Sequence, residues 1–476
     1  MHRDYPSDAA QGESRRFATA GRVDQLPIQT ALERNEGGHR LRCMDNPFTY
    51  GNPISDPLCF IGRRREIDQV LSRLANRAFE SSSIVAERRV GKTSMLNQLM
   101  STEVRARRGL DDDRYVCVYI DLQMIDETVT PTRLWKRVLM SIERQLPMGH
   151  QVELAPLLSH ESIDTFVLDD AFEAIDACNV SVVLLLDEFE HVTMSPRFSP
   201  DFFYGLRSLA TRHSLALVTS SRLQLIELSH SDAIRSSPFF NIFANVRLPL
   251  LADREAQELI SSALHGTSVQ FTPDELGIID ELAGPHPFFI QMAGAWLFEE
   301  YARTLDAAPR SAALRQAFQA EAEPHFEQYW RSSEDQEKIC LTALALLEHG
   351  QNHSERRFRA ERLVDLTRGS VETLERLYRR GLLVEGDGGY AIFSSALGAW
   401  VLTELRATLA DQQSYEAWAA TNRPTMKRVA RRTRASLDEI LPRIAAGYRD
   451  LIVDWATDPR SWGAVAGLFK PVLGLG

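Results

Sequence analysis

A chain of 476 residues exceeds what one hydrophobic core usually serves, so several structural units are expected. Hydrophobic residues make up 44% and charged residues 25%, the proportions of a globular protein, which excludes wholesale disorder. The formal net charge of -11 opposes long-range attraction to a phosphate backbone, so any nucleic-acid contact requires a local basic patch.

The five cysteines, Cys43, Cys59, Cys117, Cys178 and Cys340, form no CxxC pair, which fits a reducing compartment without structural zinc. The longest apolar run, at 180–186, is too short to cross a bilayer, and the N-terminus lacks an apolar signal core. A cytoplasmic protein with no membrane span is therefore expected.

Residues 1–43 are rich in charge, Gly and Ser without a sustained apolar period, and are expected to be disordered. Met44 directly precedes the first motif, which makes it the expected natural start. From 44 to 251, apolar strands at 83–85, 115–122, 180–186, 215–220 and 244–250 alternate with helical patterns. Such alternation predicts an α/β domain, a parallel sheet with crossover helices on both faces.

Within it, Ala86-Glu87-Arg88-Arg89-Val90-Gly91-Lys92-Thr93 lies between a strand and the helical run 94–100 that Ser94 opens. A loop at a helix N-terminus offers backbone N–H groups and a positive dipole end to a polyphosphate. Lys92 would neutralise the β and γ phosphates, and Thr93 would supply a hydroxyl to Mg²⁺. Ala86 stands where GxxxxGK[ST] has its first Gly, which is compatible only with a negative φ there.

About 95 residues past Lys92, the buried strand Val182-Val183-Leu184-Leu185-Leu186 ends in Asp187-Glu188. Asp187 fits an outer-sphere Mg²⁺ role and Glu188 fits polarisation of the attacking water, the alternative for Glu188 being a solvated acid after the strand. A third strand ends in Thr219-Ser220-Ser221-Arg222, placing Arg222 as a candidate γ-phosphate sensor or, taken alone, a surface charge.

From 252 to 330 the pattern becomes wholly helical, a predicted lid with Asp253 as its first N-cap. From 331 to 408 come a helix, a short helix opening at 363–366, a helix from Ser370 to Arg380, and a hairpin with a glycine-rich turn at 386–389. That is the order of a winged helix. Arg376, Arg379 and Arg380 are its candidate phosphate contacts. Yet 331–406 holds 11 basic and 12 acidic residues, so contact with protein is preferred over DNA. The last module, 409–476, is predicted helical, with a basic run of Lys427, Arg428, Arg431, Arg432 and Arg434. Such a run reads as a solvated face or as a patch for nucleic acid, an acidic partner or a membrane surface.

Taken in order, several segments resemble the archaeal-type STAND ATPases. They are Asn46-Pro47-Phe48-Thr49-Tyr50-Gly51-Asn52-Pro53-Ile54, Phe60-Ile61-Gly62-Arg63 with Glu66, the nucleotide loop, Tyr119-Ile120-Asp121-Leu122, Asp187-Glu188-Phe189-Glu190, Phe203-Tyr204-Gly205-Leu206-Arg207-Ser208-Leu209 and Gly284-Pro285-His286-Pro287.

The resemblance implies an AAA-like core, a helical lid and a winged helix. It implies that Phe60, Gly62 and Arg63 flank the adenine, that Pro287 packs on the base, and that His286 approaches phosphate in a closed, ADP-bound state. Arg207 would serve a subunit interface or a surface salt bridge.

The function expected is an ATP/ADP switch in signalling, with bacterial defence as one setting. It would combine slow Mg²⁺-dependent hydrolysis, nucleotide-dependent homo-oligomerisation and a separately encoded protein effector. The alternatives are a DNA-associated AAA+ ATPase of origin-recognition type and a nucleotide-binding scaffold without turnover.

Overall fold

The structure, a computed structural model, describes residues 46–410 apart from 127, 148–151, 153, 231, 236–237, 305, 349–369 and 387–388. The segment 1–43 with Met44, the short helix expected at 363–366, and everything from 411 on, including the basic run, lie outside the described residues.

Five strands, β1 (Ser81–Val85), β2 (Tyr115–Asp121), β3 (Ser181–Asp187), β4 (Leu215–Ser221) and β5 (Phe243–Arg247), form a parallel sheet in the order β2-β3-β4-β1-β5. Side chains alternate across a strand, and the central strands β1, β3 and β4 bury both sets.

On one face Val116, Val118, Ile120, Val182, Leu184 and Leu186 share a core with α4 (Pro131–Gln145), α6 (Thr165–Asp176) and α8 (Pro200–Arg212). On the other, Ile84, Cys117, Val183, Leu185 and Val218 pack with α1 (Arg64–Leu74), α2 (Lys92–Met100) and α3 (Thr102–Ala106). Short helices α5 (Ala155–Leu158), α7 (Glu190–Thr193) and α9 (Asp232–Arg235) complete this part. Thr130 and Asp164 cap α4 and α6 by accepting the N–H of Arg133 at 3.3 Å and of Phe166 and Val167 at 2.9 and 3.0 Å.

Two strand boundaries differ from expectation by more than one residue. β1 begins two residues early because Ser81 is useful in the interior: its hydroxyl accepts the N–H of Leu217 at 3.0 Å. β5 stops at Arg247, not 250, because its partner β1 ends at Val85, and one last bond runs from Leu248 N–H to Val85 O at 3.1 Å.

The rest is helical: α10 (Asp253–Leu264), α11 (Pro273–Ala283), α12 (Pro287–Arg303), α13 (Ala307–Arg331) and α14 (Asp335–Glu348). Then follow α15 (Ser370–Arg379), the antiparallel hairpin of β6 (Leu383–Gly386) and β7 (Gly389–Ile392), and α16 (Ser395–Ala410). Asp253 is the first helical residue of α10, not its cap. The preceding Ala252 is the N-cap, and its N–H is taken by the Glu255 carboxylate at 3.0 Å.

One hydrophobic core runs through all of these elements, from Phe289, Phe318 and Phe326 to Leu344, Leu377, Phe393 and Trp400. The segment 46–54 ties this body to the sheet. Phe48 enters the helical core and stacks on Phe271 at 5.8 Å, while Ile54 N–H donates to Ser94 Oγ at 3.0 Å on α2.

Candidate functional site

β1 ends at Val85, and the chain turns through 86–91 into α2. Ala86 is buried with no positive φ, and its N–H donates to Ser221 O at 3.2 Å. The left-handed positions of this loop are Arg89 at φ 63° and Gly91 at φ 108°. Gly91 precedes α2 in a conformation that a β-carbon disfavours, which explains Gly at that position.

Because β4 separates β1 from β3, the start of α2 meets the end of β3 across the tip of β4. Thr93 Oγ1 donates to Asp187 Oδ2 at 2.7 Å, and Tyr119 OH donates to the same oxygen at 2.9 Å. Ser220 Oγ donates to Asp187 Oδ1 and accepts the N–H of Glu188 at 3.0 Å. Asp187 is thus a buried carboxylate held by three hydroxyls from three elements, which keeps its charge compensated.

Lys92 is buried, and its Nζ lies 3.3 Å from Glu188 Oε1. Glu188 occupies φ 51°, an uncommon conformation for a side chain of this type, fixed by the bond of its N–H to Ser220. Burial pushes the Glu188 carboxyl up, but the Lys92 ammonium, a hydrogen bond with Glu190 and the Arg88 charge together outweigh it and hold the group below the usual carboxylate range. Its neighbour Glu190 goes the other way: burial and the Glu188 charge push it up to about 7. Glu190 Oε1 accepts the N–H of Arg222 at 3.2 Å, which fixes the backbone at the exit of β4.

Phe60 is half-buried against the α1 and α2 core, and Gly62 and Arg63 form a left-handed turn at φ 76° and 60°. Arg63 is buried, with its N–H on Glu255 Oε1 at 3.1 Å and one Nη2 without a hydrogen-bond partner. His286 is buried at the N-cap of α12, and Pro287 is that helix's first residue. Burial, reinforced by the Arg63 charge, pushes the imidazole down to about 3, so it is neutral.

His286 Nε2 lies 3.2 Å from Tyr329 OH, which also meets Arg88 O at 3.3 Å. Arg89 stacks its guanidinium on Phe288 at 4.3 Å, and Val90 is buried in the α2 core. Glu87 is buried and pairs with Arg380 at 2.8 Å.

Lys92, Thr93, Asp187 and Glu188 therefore converge, while Arg222 is placed at the same rim through Glu190. His286 reaches the loop by way of Tyr329 and Phe288, and Phe60 packs against the core that holds Ala86 and Val90. Sequence reasoning assigned no role at this site to Tyr119, Ser220 or Tyr329, and considered Arg380 only as a nucleic-acid contact. For Tyr119 a signal existed: it lies two residues before Asp121, which pairs in register with Asp187, so Tyr119 shares that strand face.

Among the described residues no cluster of three His, Cys, Asp or Glu forms a metal cage. The Thr93 hydroxyl and Asp187 carboxylate are hard oxygen donors that suit Mg²⁺ only when phosphate oxygens and water complete its coordination.

A parallel sheet in this order, with a strand-loop-helix that meets an acid at the end of the strand one removed, is the fold of a P-loop NTPase. The model of the family described as Novel STAND NTPase 2 matches residues 72–346, more than half of the chain, and the chain belongs to that family. Among solved structures, the chain is similar to a Walker-type ATPase of Pyrococcus abyssi at 17% identity, with 74% of this chain and 99% of the other covered and a TM-score of 0.50. The Aeropyrum pernix ORC2 protein in ADPNP-ADP complexes gives 17% identity, 77% and 99% coverage and a TM-score of 0.46. Drosophila ORC bound to DNA gives 15%, 78%, 96% and 0.40. No curated protein matches the chain.

The three arginines considered for DNA are engaged within the protein. Arg376 meets Glu334 at 2.6 Å, Arg379 meets Glu375 at 3.0 Å, and Arg380 is buried. Among the described residues no helix is long and apolar enough to cross a membrane.

Proposed function

We propose that the protein binds ATP and ADP at the 86–94 loop and hydrolyses ATP slowly as a conformational switch. The observation that carries this reading is the convergence of Lys92, Thr93, Asp187 and Glu188 at the carboxyl ends of the central strands.

In the proposed site the backbone N–H groups from Arg89 to Thr93 at the N-terminus of α2 receive the phosphates, and Lys92 transfers from Glu188 to them. That transfer frees Glu188 to accept a proton from the attacking water. Arg222 serves as the γ-phosphate sensor. Thr93 and Asp187 hold the Mg²⁺ side of the site, and the cation supplies charge neutralisation of the phosphates. Phe60, Gly62, Arg63, His286 and Pro287 form the base and sugar side.

Residues 252–330 act as the lid and 331–408 as a winged helix that keeps the core closed. ATP favours an open, oligomerising form, a shift that requires different affinities for the two conformations. A separately encoded protein partner in the cytoplasm reads that state, in signalling or defence. Contact with protein is favoured over DNA because Arg376, Arg379 and Arg380 are paired with carboxylates.

Calorimetric titration of ATP with Mg²⁺ tests the site: binding is expected for the wild type and lost in Lys92→Ala. Equal affinity in that variant would remove the assignment. Light scattering with ADP and with a non-hydrolysable ATP analogue tests the switch, a larger particle being expected only with the analogue.

A further inference from the structure

Glu87 and Arg380 are 293 residues apart, and the fold buries them against each other. The Arg380 Nε and Nη2 donate to Glu87 Oε2 at 2.9 and 2.8 Å. Its Nη1 donates to Ser333 Oγ at 3.1 Å and Glu337 Oε2 at 2.6 Å, and Nη2 also reaches Ser332 Oγ at 2.9 Å. All five N–H directions of the guanidinium fork are therefore used. The other oxygen of Glu87 accepts the Arg88 N–H at 3.1 Å, and Arg376 takes the second oxygen of Glu337 at 3.2 Å.

A carboxylate inside a phosphate-binding loop is electrostatically opposed to its ligand. In a poorly hydrated setting that repulsion is strong. Here it is cancelled by a cation that belongs to neither the loop nor the sheet. Arg380 directly follows α15, so the cancellation lasts only while α15 and its hairpin are docked on the loop.

We propose that Arg380 is a positioning residue for the nucleotide loop, and that its ion pair with Glu87 couples nucleotide retention to the docking of α15 and the hairpin. Docking masks the Glu87 charge and slows nucleotide release. By reciprocity, bound ADP favours docking, whereas ATP favours the open form. The proposal rests on the reading of 86–94 as the nucleotide loop.

The test uses the full chain with Mg²⁺ and a fluorescent ADP analogue, measuring Kd and dissociation rate, alongside hydrogen exchange across 370–379 without nucleotide. Arg380→Met is expected to raise Kd and the dissociation rate by about tenfold or more, because Glu87 then faces the phosphates unmasked. Adding Glu87→Gln to that variant is expected to return both to within about threefold of wild type, while 370–379 exchanges faster in either single variant.

Wild-type affinity and dissociation rate in Arg380→Met overturn the proposal. So does a double variant as weak as Arg380→Met, which would mark plain structural damage. If Arg380→Met does not fold, Glu87→Gln alone decides. ADP retained with faster exchange at 370–379 supports the coupling, and ADP lost overturns it. Lys92→Ala separates the two readings: unchanged ADP binding there removes the nucleotide site, while slow exchange at 370–379 in Glu87→Gln removes the latch.

Discussion

Lys92 Nζ and Glu188 Oε1 lie 3.3 Å apart, so the cation expected to meet phosphate and the acid expected to meet water occupy each other. Glu188→Gln is expected to keep nucleotide binding and to lose hydrolysis by about 10² to 10⁴-fold, the usual worth of a general base. Phosphate release and equilibrium binding, measured separately, check this. Parallel loss of both would mean that Glu188 holds the loop together instead.

Tyr119 holds the same Asp187 oxygen as Thr93 does. Tyr119→Phe removes one donor from a buried carboxylate and is expected to cost about 1.5–3 kcal/mol of stability, the range for a hydrogen bond to a charged group. The Mg²⁺ concentration needed for half-maximal hydrolysis is expected to rise as well. A magnesium titration identical to wild type would leave Tyr119 a packing residue.

Arg310 lies under the helical body, its Nη2 2.8 Å from Glu275 Oε1 and its guanidinium 3.9 Å above the Tyr301 ring. Both charges are nearly inaccessible. Arg310→Ala would leave the buried Glu275 carboxylate without its cation and is expected to destabilise the protein by about 3–5 kcal/mol, read from urea unfolding. A loss below about 1 kcal/mol would assign this pair the weight of a surface contact.

His286 gives a pH signature. Burial and the Arg63 charge push its imidazole down to about 3, whereas the unfolded chain takes up that proton near 6.5. Between those two values the unfolded state binds more protons, so this group makes stability fall as pH falls, by up to about 1.4 kcal/mol per unit. Above pH 6.5 the contribution is pH-independent. Glu190, pushed up to about 7, acts in the opposite sense from about 4.5 upward, so the check is the difference between wild type and His286→Gln. That difference is expected to shrink steadily from pH 6.5 toward 3.

Gly284 has φ 53°, and a β-carbon on it would stand 1.8 Å from the carbonyl oxygen of Phe393. Gly284→Ala must therefore push the hairpin away from the turn before α12. The expected loss is about 1–3 kcal/mol or more, with faster hydrogen exchange at 389–393. Unchanged exchange there would show that the turn absorbs the methyl group.

The parts legible in the sequence are those whose signal is local. Val182 to Leu186 announces a strand buried on both faces, and the acids that follow must stand at its carboxyl end. Gly91-Lys92-Thr93 after a buried strand announces a helix start, and α2 begins at Lys92. The boundaries that moved did so for reasons outside the local window. Ser81 joins β1 because it accepts a bond from Leu217, and β5 stops where its partner stops.

The chain's own order determined the strand-loop-helix that carries Lys92 and the acid-tipped strand that carries Asp187, because each is written in adjacent residues whose periodicity sets the element. Only the tertiary structure decided that β4 stands between them, that Tyr119 and Ser220 complete the hold on Asp187, and that Arg380 covers Glu87. These are contacts between residues far apart in the chain. They depend on which buried charges and hydroxyls find partners once the layers close, and no local pattern encodes that choice.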